Sequence, residues 1–318
     1  MSDASRDEAL GFKETLAAGR FAITAEVTPP VSCDPTDLLR LAAPLRGLVD
    51  AVNVTDNPGA RTHLGALVSA ALLNQNGIEA ILQVTCRDRN RIAIESDLLS
   101  AAALGLRNLL ILRGDDPAAR NQTDVKAVFE LDTRSLTATA RTLRDRGELA
   151  SGQKVGGRAE FFLGVADIPI DPPPSFVPEG LKAKMAAGAQ FVQTQFCMDI
   201  DIVRRYIARL SEHGITQQLF VLIGVAPLRS ARSARWMREH LFGTIIPERF
   251  VERLEQASDP AAEGRRICVE LLGELAQVPG VAGAHVMAPN NEAALAEVLS
   301  EAGSLRLRPV SQAPTSGV

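Results

Sequence analysis

Residues 108–117 read NLLILRGDDP, in which four consecutive apolar residues run directly into Arg113, Gly114, Asp115 and Asp116. A short apolar run of this length, bounded by turn residues, is typical of a strand that is buried on both faces, as in a parallel sheet. One strand that ends in a charged, solvated turn is an ordinary feature of proteins. The stretch therefore becomes informative only if other strands of the chain end in the same way.

Seven further runs have the same apolar or β-branched character, and helical periodicity fills segments between them, as in 34–45, 61–77, 90–105 and 259–275. Two of these segments begin with Asp followed by Pro, at Asp34 and Asp259, which is a favourable start for a helix. The eight predicted strands are 21–27 (FAITAEV), 49–56 (VDAVNVTD), 79–86 (EAILQVTC), 108–115 (NLLILRGD), 160–167 (EFFLGVAD), 190–196 (QFVQTQF), 219–227 (LFVLIGVAP) and 283–289 (GAHVMAP).

Eight strands that alternate with helices over about 300 residues predict an α/β protein with a single (β/α)8 TIM-type barrel. An open, doubly wound sheet would also alternate, but no Gly-x-Gly-x-x-Gly follows the first strand and there is no phosphate-binding Gly-Lys-Ser/Thr loop. The pattern favours the barrel over the open sheet. We assign residues 1–304 to one barrel domain and predict that the polar, proline-bearing residues 305–318 form a disordered tail.

Composition excludes several classes of partner. The chain has 318 residues, 46% of them hydrophobic, and a net charge of −4 with both signs mixed, which gives no field that would attract nucleic acid or an anionic membrane. It has no run of about 18 apolar residues and no basic, then apolar, leader at the start. Its four cysteines lie far apart and no histidine has ligand spacing, so we predict a cytoplasmic protein with reduced thiols and no metal site.

Polar residues recur at the ends of the predicted strands. In a (β/α)8 barrel the carboxyl ends of all strands meet at one rim, and catalytic groups lie there. Glu26 is the most informative, because strand alternation around an apolar stretch would not by default place a carboxylate at that position. The pattern predicts a rim site formed by a set of strand-terminal residues: Glu26, Asn53, Thr55, Asp56, Gln83, Thr85, Asp115, Asp167, Gln193 and Gln195.

Several ordered motifs in the chain resemble the methylenetetrahydrofolate reductase family over roughly residues 10–290. They are AEVTPP (25–30), VNVTDNPGARTH (52–63), LQVTCRDRNRIAIESDLLSAAALGLRNLLILRGDDP (82–117), LKAKMAAGAQFVQTQFCMD (181–199) and GVAPLRSARSARWMREHLFGTIIPERFVERL (224–254). The resemblance implies a (β/α)8 barrel that holds FAD and uses NADH or NADPH to reduce 5,10-methylenetetrahydrofolate to 5-methyltetrahydrofolate, or catalyses the reverse oxidation.

The resemblance also implies residue roles. Glu26 would donate a proton to folate N10, and Asp115 would lie beside flavin and pterin as a second catalytic and substrate-binding group. Gln195 would bind the substrate, since a carboxylate and an amide together match the donors and acceptors along a pterin edge. The positions implied to contact the flavin are Thr55, Gln83, Arg113, Gly114, Asp115 and Lys184, with Lys184 suited to the FAD pyrophosphate.

Some positions depart from the family pattern and leave alternatives open. Gln83 stands where many members have His, and VADIPIDPPP (165–174) replaces the usual Tyr-Pro after the fifth strand. A flavin-independent relative, a folate-binding methyltransferase and a non-catalytic folate-binding subunit are the alternatives. The sequence leaves open NADH versus NADPH, a homo-oligomer, and whether the pathway is methionine biosynthesis or one-carbon catabolism. We interpret the basic segment RSARSARWMREH (229–240) as a solvated helix face.

Overall fold

A computed structural model describes residues 10–120, 124–288 and 292–303. Its core is a closed barrel in which every strand is parallel to its neighbours and strand order follows the chain, so the predicted (β/α)8 fold is confirmed. Each predicted apolar run contains one strand. The strands are β1 (Ala22–Val27), β2 (Ala51–Val54), β3 (Ala80–Thr85), β4 (Asn108–Leu112), β5 (Phe162–Asp167), β6 (Phe191–Phe196), β7 (Phe220–Val225) and β8 (Gly283–Val286).

The helices surround this barrel, and the two that begin at Asp-Pro start as the sequence predicts. The Asp34 carboxylate accepts from the amide of Thr36, and Asp259 accepts from the amides of Ala261 and Ala262. The helices are α1 (Phe12–Ala17), α2 (Pro35–Ala42), α3 (Ala66–Gln75), α4 (Arg91–Ala103), α5 (Thr133–Arg146), α6 (Glu179–Ala187), α7 (Ile200–Glu212), α8 (Ala231–His240), α9 (Glu248–Gln256), α10 (Pro260–Leu275) and α11 (Glu292–Glu301).

Strand alternation divides each strand between two environments. On β1, Ile23, Ala25 and Val27 pack in the large core between the barrel and its helices, so Thr24 and Glu26 lie on the opposite face, toward the barrel lumen. This alternation explains why a carboxylate occurs within an otherwise apolar strand. Glu26 is the last residue of β1 whose side chain faces the lumen.

The amino-terminal end of the lumen is closed by aromatic rings. The ring of Phe12, from α1, meets those of Phe162 and Phe191 edge-on, with centroid distances of 5.9 and 5.3 Å, and the latter two rings stack at 4.9 Å. Glu79 fixes α1 beneath the barrel, because its carboxylate accepts from the Phe12 amide (3.0 Å) and from the Asn108 side chain (2.7 Å). Burial raises the pKa of Glu79. We call this aromatic end the barrel floor.

Helices α8 and α9 form an excursion at the carboxyl-terminal rim, between β7 and α10. The loop after α8 returns to the end of β6, where Ile245 pairs with Cys197 and exchanges backbone hydrogen bonds with Phe196 and Met198. A second, smaller apolar core, which includes Met237 and Val251, lies under the two helices. We call residues 228–256 the rim excursion. It was not predicted as a separate feature.

No helix among the described residues is long and apolar enough to cross a membrane. The tail predicted at 305–318 lies outside the described residues, as do residues 1–9. A single barrel with its helices and the rim excursion accounts for the described part of the chain.

Candidate active site

Five of the sequence-predicted site residues come from five different strands or strand ends, and Lys184 comes from α6. Glu26 lies near the end of β1, Thr55 directly follows β2, and Gln83 is near the end of β3. Asp115 follows β4, and Gln195 is the next-to-last residue of β6. Because the strands are parallel and the barrel is closed, these positions share the carboxyl-terminal rim.

Glu26 is held from two sides across the lumen. The amide nitrogen of Gln83 donates to its Oε2 at 3.0 Å, and Nε2 of His285, on β8, lies 3.8 Å from the same oxygen. The Glu26 side chain is 23% exposed, which leaves it open toward the rim. Gln83 thus contacts the predicted proton donor directly, a contact that the sequence did not reveal.

A buried polar network lies below Glu26. The hydroxyl of Thr24 is 2.9 Å from Nδ1 of His285 and accepts from the amide of Gln193 at 3.0 Å. Gln193 and Asn53 then exchange two amide hydrogen bonds, at 2.6 and 3.0 Å. All four side chains are buried and partnered, as buried polar groups must be. Sequence reasoning missed His285 because it tested histidines for metal spacing only; alternation within β8 would have directed it inward.

Asp115 joins two loops of the rim. Its Oδ2 accepts from the backbone amide of Gly59, in the loop after β2, at 3.0 Å, and its Oδ1 accepts from Arg120 at 3.1 Å. Gly114 has φ +86°, and a Cβ there would lie about 3 Å from the Cβ atoms of Thr85 and Arg87. Backbone conformation and close packing therefore both require glycine before the aspartate.

Gln195 contacts the rim excursion. Its Oε1 accepts from the amide of Phe196 at 3.0 Å, and its Nε2 donates to the carbonyl oxygen of Phe242 at 3.3 Å. The ring of Phe242 is itself 84% exposed. The amide of Gln195 is thus oriented at the rim by backbone partners while its side chain stays half-buried.

Two of the rim acids have structural partners instead of facing the lumen. The Asp56 carboxylate accepts from both the amide and the hydroxyl of Thr85, at 2.9 Å each, and pairs with Arg89. Asp167 accepts from the hydroxyl of Tyr206, a buried residue of the outer helix layer. Burial, and then the nearby Asp167 charge, raise the pKa of Tyr206. Asp56 and Asp167 therefore stabilise the local structure, and a polar residue at the end of a strand is not by its position alone a catalytic residue.

The positions implied to hold a flavin offer cations and one unpartnered hydroxyl. Among the described residues, the buried Oγ1 of Thr55 has no hydrogen-bond partner. Arg113, Arg134 and Lys184 line one pocket of about 460 Å³ beyond β4. Lys184 donates to the carbonyl oxygen of Ala166 at 2.6 Å, which fixes its ammonium group at the pocket wall. Asp132 and Glu179 line the same pocket, so its three cations exceed its carboxylates by one, and this surplus of positive charge fits a pyrophosphate.

Known proteins similar to this chain are described as methylenetetrahydrofolate reductases. The family model described as methylenetetrahydrofolate reductase matches residues 11–303. A probable methylenetetrahydrofolate reductase (NADPH) of Caenorhabditis elegans is 28% identical over 248 residues, which cover 76% of this chain and 34% of that protein. The 5,10-methylenetetrahydrofolate reductase of Pectobacterium carotovorum is 26% identical, with 71% of this chain and 70% of that protein covered. The chain thus spans about a third of the nematode relative.

Solved structures of low sequence identity share the fold. A Clostridium thermocellum protein whose structure is described as binding two copies of 5-methyl-5,6,7,8-tetrahydrofolic acid superimposes with a TM-score of 0.63 at 12% identity. The superposition covers 93% of this chain and 99% of that one. At this identity the similarity supports the barrel architecture alone.

Proposed function

Because this chain belongs to the methylenetetrahydrofolate reductase family, we propose that it reduces 5,10-methylenetetrahydrofolate to 5-methyltetrahydrofolate, with NADH or NADPH as the hydride source and FAD as the cofactor. The reverse oxidation uses the same groups. Both relatives described above are named as reductases of this substrate, and one name specifies NADPH.

The observation that carries the proposal is the position of Glu26. Its carboxyl group lies in the lumen at the rim, partly exposed, with the Gln83 amide at one side and His285 at the other. In its protonated form, Glu26 would donate a proton to N10 of the bound folate, which opens the five-membered ring to an iminium that accepts hydride at the methylene carbon. Fixed neighbours hold the acid in the orientation that proton transfer requires.

Asp115 and Gln195 would bind the pterin. A carboxylate accepts from adjacent N–H donors of the pterin, and an amide offers both a donor and an acceptor. Gly59 and Arg120 orient Asp115, and backbone groups orient Gln195, so both side chains reach the rim in defined positions. This preorganisation supports a binding role for both residues.

The chain's own groups also suit FAD. Lys184 and Arg113 would hold the pyrophosphate, and Thr55 would supply a hydroxyl that has no partner among the described residues. Gly114 would bring the backbone close to the cofactor beside Asp115. When bound, FAD supplies hydride transfer between nicotinamide and folate, while the protein supplies orientation and the proton. Gln83 faces Glu26, so its assignment to the cofactor stays a prediction.

The test is to purify the protein, record its visible spectrum, and measure methylenetetrahydrofolate-dependent oxidation of NADH and of NADPH separately. Flavin absorbance together with folate-dependent oxidation is the expected result. A colourless protein that oxidises nicotinamide with folate but gains nothing from added FAD would establish the flavin-independent alternative. A protein with neither absorbance nor oxidation, but with methyl transfer from 5-methyltetrahydrofolate, would overturn reductase activity.

The cytoplasmic location of the protein stays a prediction.

A further inference from the structure

The hydrogen bonds below Glu26 have a defined direction. The side-chain amide nitrogen of Gln193 donates both of its hydrogens, one to Oδ1 of Asn53 and one to the hydroxyl oxygen of Thr24, at 3.0 Å each. Thr24 is therefore the acceptor in this contact, and its own hydroxyl hydrogen must go to another group. Because Thr24 is fully buried, that hydrogen needs a partner inside the protein.

Two acceptors lie near the Thr24 hydroxyl. Nδ1 of His285 is 2.9 Å from its oxygen, and the carbonyl oxygen of Ala284 is 3.4 Å away. The shorter distance favours Nδ1, which can accept only when it carries no hydrogen. A neutral imidazole then has its hydrogen on Nε2, so the network assigns the Nε2–H tautomer to His285.

The second ring nitrogen of His285 faces Glu26. Nε2 lies 3.8 Å from Oε2 of Glu26, the same oxygen that accepts from the amide of Gln83 at 3.0 Å. No described residue donates a hydrogen bond to the other oxygen, Oε1. Two N–H groups are thus directed at one oxygen of the carboxyl group, which leaves Oε1 to carry the acid hydrogen.

The charges around His285 are few. Among the described residues, Glu26 is the one charged group within ion-pair distance of the ring. On the neighbouring strands His285 pairs with Thr24 of β1 and Gly224 of β7, and Gln193 of β6 is neutral. A buried imidazolium would have no counter-ion while Glu26 is protonated, so His285 is neutral in the state that donates the proton.

We propose that His285 is a positioning residue for proton transfer, held by Thr24 as the neutral Nε2–H tautomer so that it stabilises the Glu26 carboxylate as this forms. The inference rests on the proposed function. In the step, the O–H bond at Oε1 breaks, an N–H bond forms at N10 of the folate, and the electron pair stays on the carboxylate. The negative charge is shared with Oε2, where Nε2–H of His285 and the amide of Gln83 face it.

Nitrogen NMR of protein that is isotope-labelled at its histidines tests the tautomer without turnover. The chain has four histidines, and the His285→Gln variant identifies the signals of His285 by their loss. We expect a neutral ring with its hydrogen on Nε2 at neutral pH. Thr24→Val removes the hydroxyl at nearly constant shape and should give a mixture of both tautomers, whereas Thr24→Ser keeps the hydroxyl and should keep Nε2–H. An imidazolium or an Nδ1–H tautomer in the wild type, or an unchanged tautomer in Thr24→Val, would overturn the proposal.

The pH dependence of folate reduction separates this role from a structural one. His285→Leu removes the N–H group that faces the carboxylate, so Glu26 should be a weaker acid and keep its proton to higher pH. We expect reoxidation of reduced flavin by methylenetetrahydrofolate to slow ~10-fold, and the fall of its rate at high pH to move to higher pH. His285→Gln, whose amide can place an N–H group near the position of Nε2, should recover to within about threefold of the wild-type rate.

The remaining outcomes distinguish this inference from the proposed function. Flavin reduction by NADH or NADPH without folate needs no proton from Glu26, and both His285 variants should keep its rate within about threefold of wild type. Slower folate reduction with an unchanged pH dependence, or no recovery in His285→Gln, would overturn the inference and leave the proposed function intact. A wild-type protein that has the Nε2–H tautomer but does not reduce the folate would overturn the proposed function, and with it the role of His285 in proton transfer.

Discussion

The two ends of the barrel lumen are built from opposite kinds of side chain. The floor holds the rings of Phe12, Phe162 and Phe191, packed against one another. Midway up, Thr24 and Gln193 belong to a network in which every buried polar side chain has a partner. One continuous lumen therefore provides stability at its floor and chemical groups at its rim.

The difference has a simple physical basis. An aromatic ring stabilises the floor through burial and needs no hydrogen bond. A buried amide or hydroxyl would cost roughly 1–3 kcal/mol if left without a partner, so the polar layer must be complete. The reciprocal amide pair of Gln193 and Asn53 satisfies that condition and provides a fixed base for Glu26 above it. Substitutions at the two ends should accordingly have different consequences.

The largest effect is expected from Phe191→Ala, at the floor. The ring is fully buried, and Gly164 leaves room for it, since a Cβ there would overlap the ring. We expect a loss of about 3–5 kcal/mol in the free energy of unfolding, measured by urea denaturation. Phe242→Ala, the same change at an 84% exposed rim position, should alter it by less than ~0.5 kcal/mol. Equal losses would contradict the division between floor and rim.

Glu26→Gln should slow folate reduction and leave the free energy of unfolding nearly unchanged. The glutamine keeps size and hydrogen bonding but cannot donate the proton. Reoxidation of reduced flavin by methylenetetrahydrofolate should slow at least ~10²-fold, whereas flavin reduction by NADH or NADPH without folate should stay within about tenfold, both measured by stopped flow. Asp116→Asn, which removes the charge of an exposed carboxylate next to Asp115 in the chain, serves as the control and should change neither rate more than twofold. Equal slowing of both half-reactions in Glu26→Gln would assign Glu26 to flavin placement.

Lys184→Glu should weaken the cofactor site without weakening the barrel. A carboxylate would replace the ammonium at the proposed pyrophosphate site, and we expect FAD affinity to fall ~30-fold, or about 2 kcal/mol. Equilibrium dialysis of FAD measures this directly. Lys154→Glu reverses the charge of a surface lysine that pairs with Glu148 and does not line this pocket, and it should leave FAD affinity within about threefold. Similar losses in both variants would indicate a general charge effect.

The smallest effect is expected from Gln83→Met, which removes the donor to Glu26 and keeps an unbranched side chain. A single hydrogen bond contributes about 1 kcal/mol, so kcat for folate reduction should fall ~5-fold. The KM for NADPH should not change, because the amide orients the acid and is not expected to hold the nicotinamide. A fall in FAD content with kcat per bound flavin unchanged would instead return Gln83 to the cofactor site. Gln217→Met, at an exposed position, is the control.

The strands, and the rim positions of most polar residues, could be predicted from the sequence. The role of a polar residue could not be predicted where it depends on a partner that is remote in the chain. The end of β2 illustrates this, because Thr55 and Asp56 are adjacent polar residues with different environments. The hydroxyl of Thr55 has no hydrogen-bond partner among the described residues, whereas the carboxylate of Asp56 accepts from Thr85 and pairs with Arg89. Nothing local distinguishes them. Alternation within β8 would have directed His285 inward, but its partners Thr24 and Glu26 are about 260 residues away in the chain, so only the structure shows which groups it contacts.

The sequence by itself determined the alternation of strands and helices, the Asp-Pro helix starts and the inward phase of Glu26, because these follow from periodicity and local backbone preferences. Only the tertiary structure decided which polar residues are free to bind ligands. Closure of the barrel brings β8 beside β1 and so supplies His285, and the rim excursion pairs some arginines while it leaves Arg229 and Arg232 without partners among the described residues. Hydrogen bonds and ion pairs depend on distances between segments remote in sequence, and a linear pattern does not contain those distances.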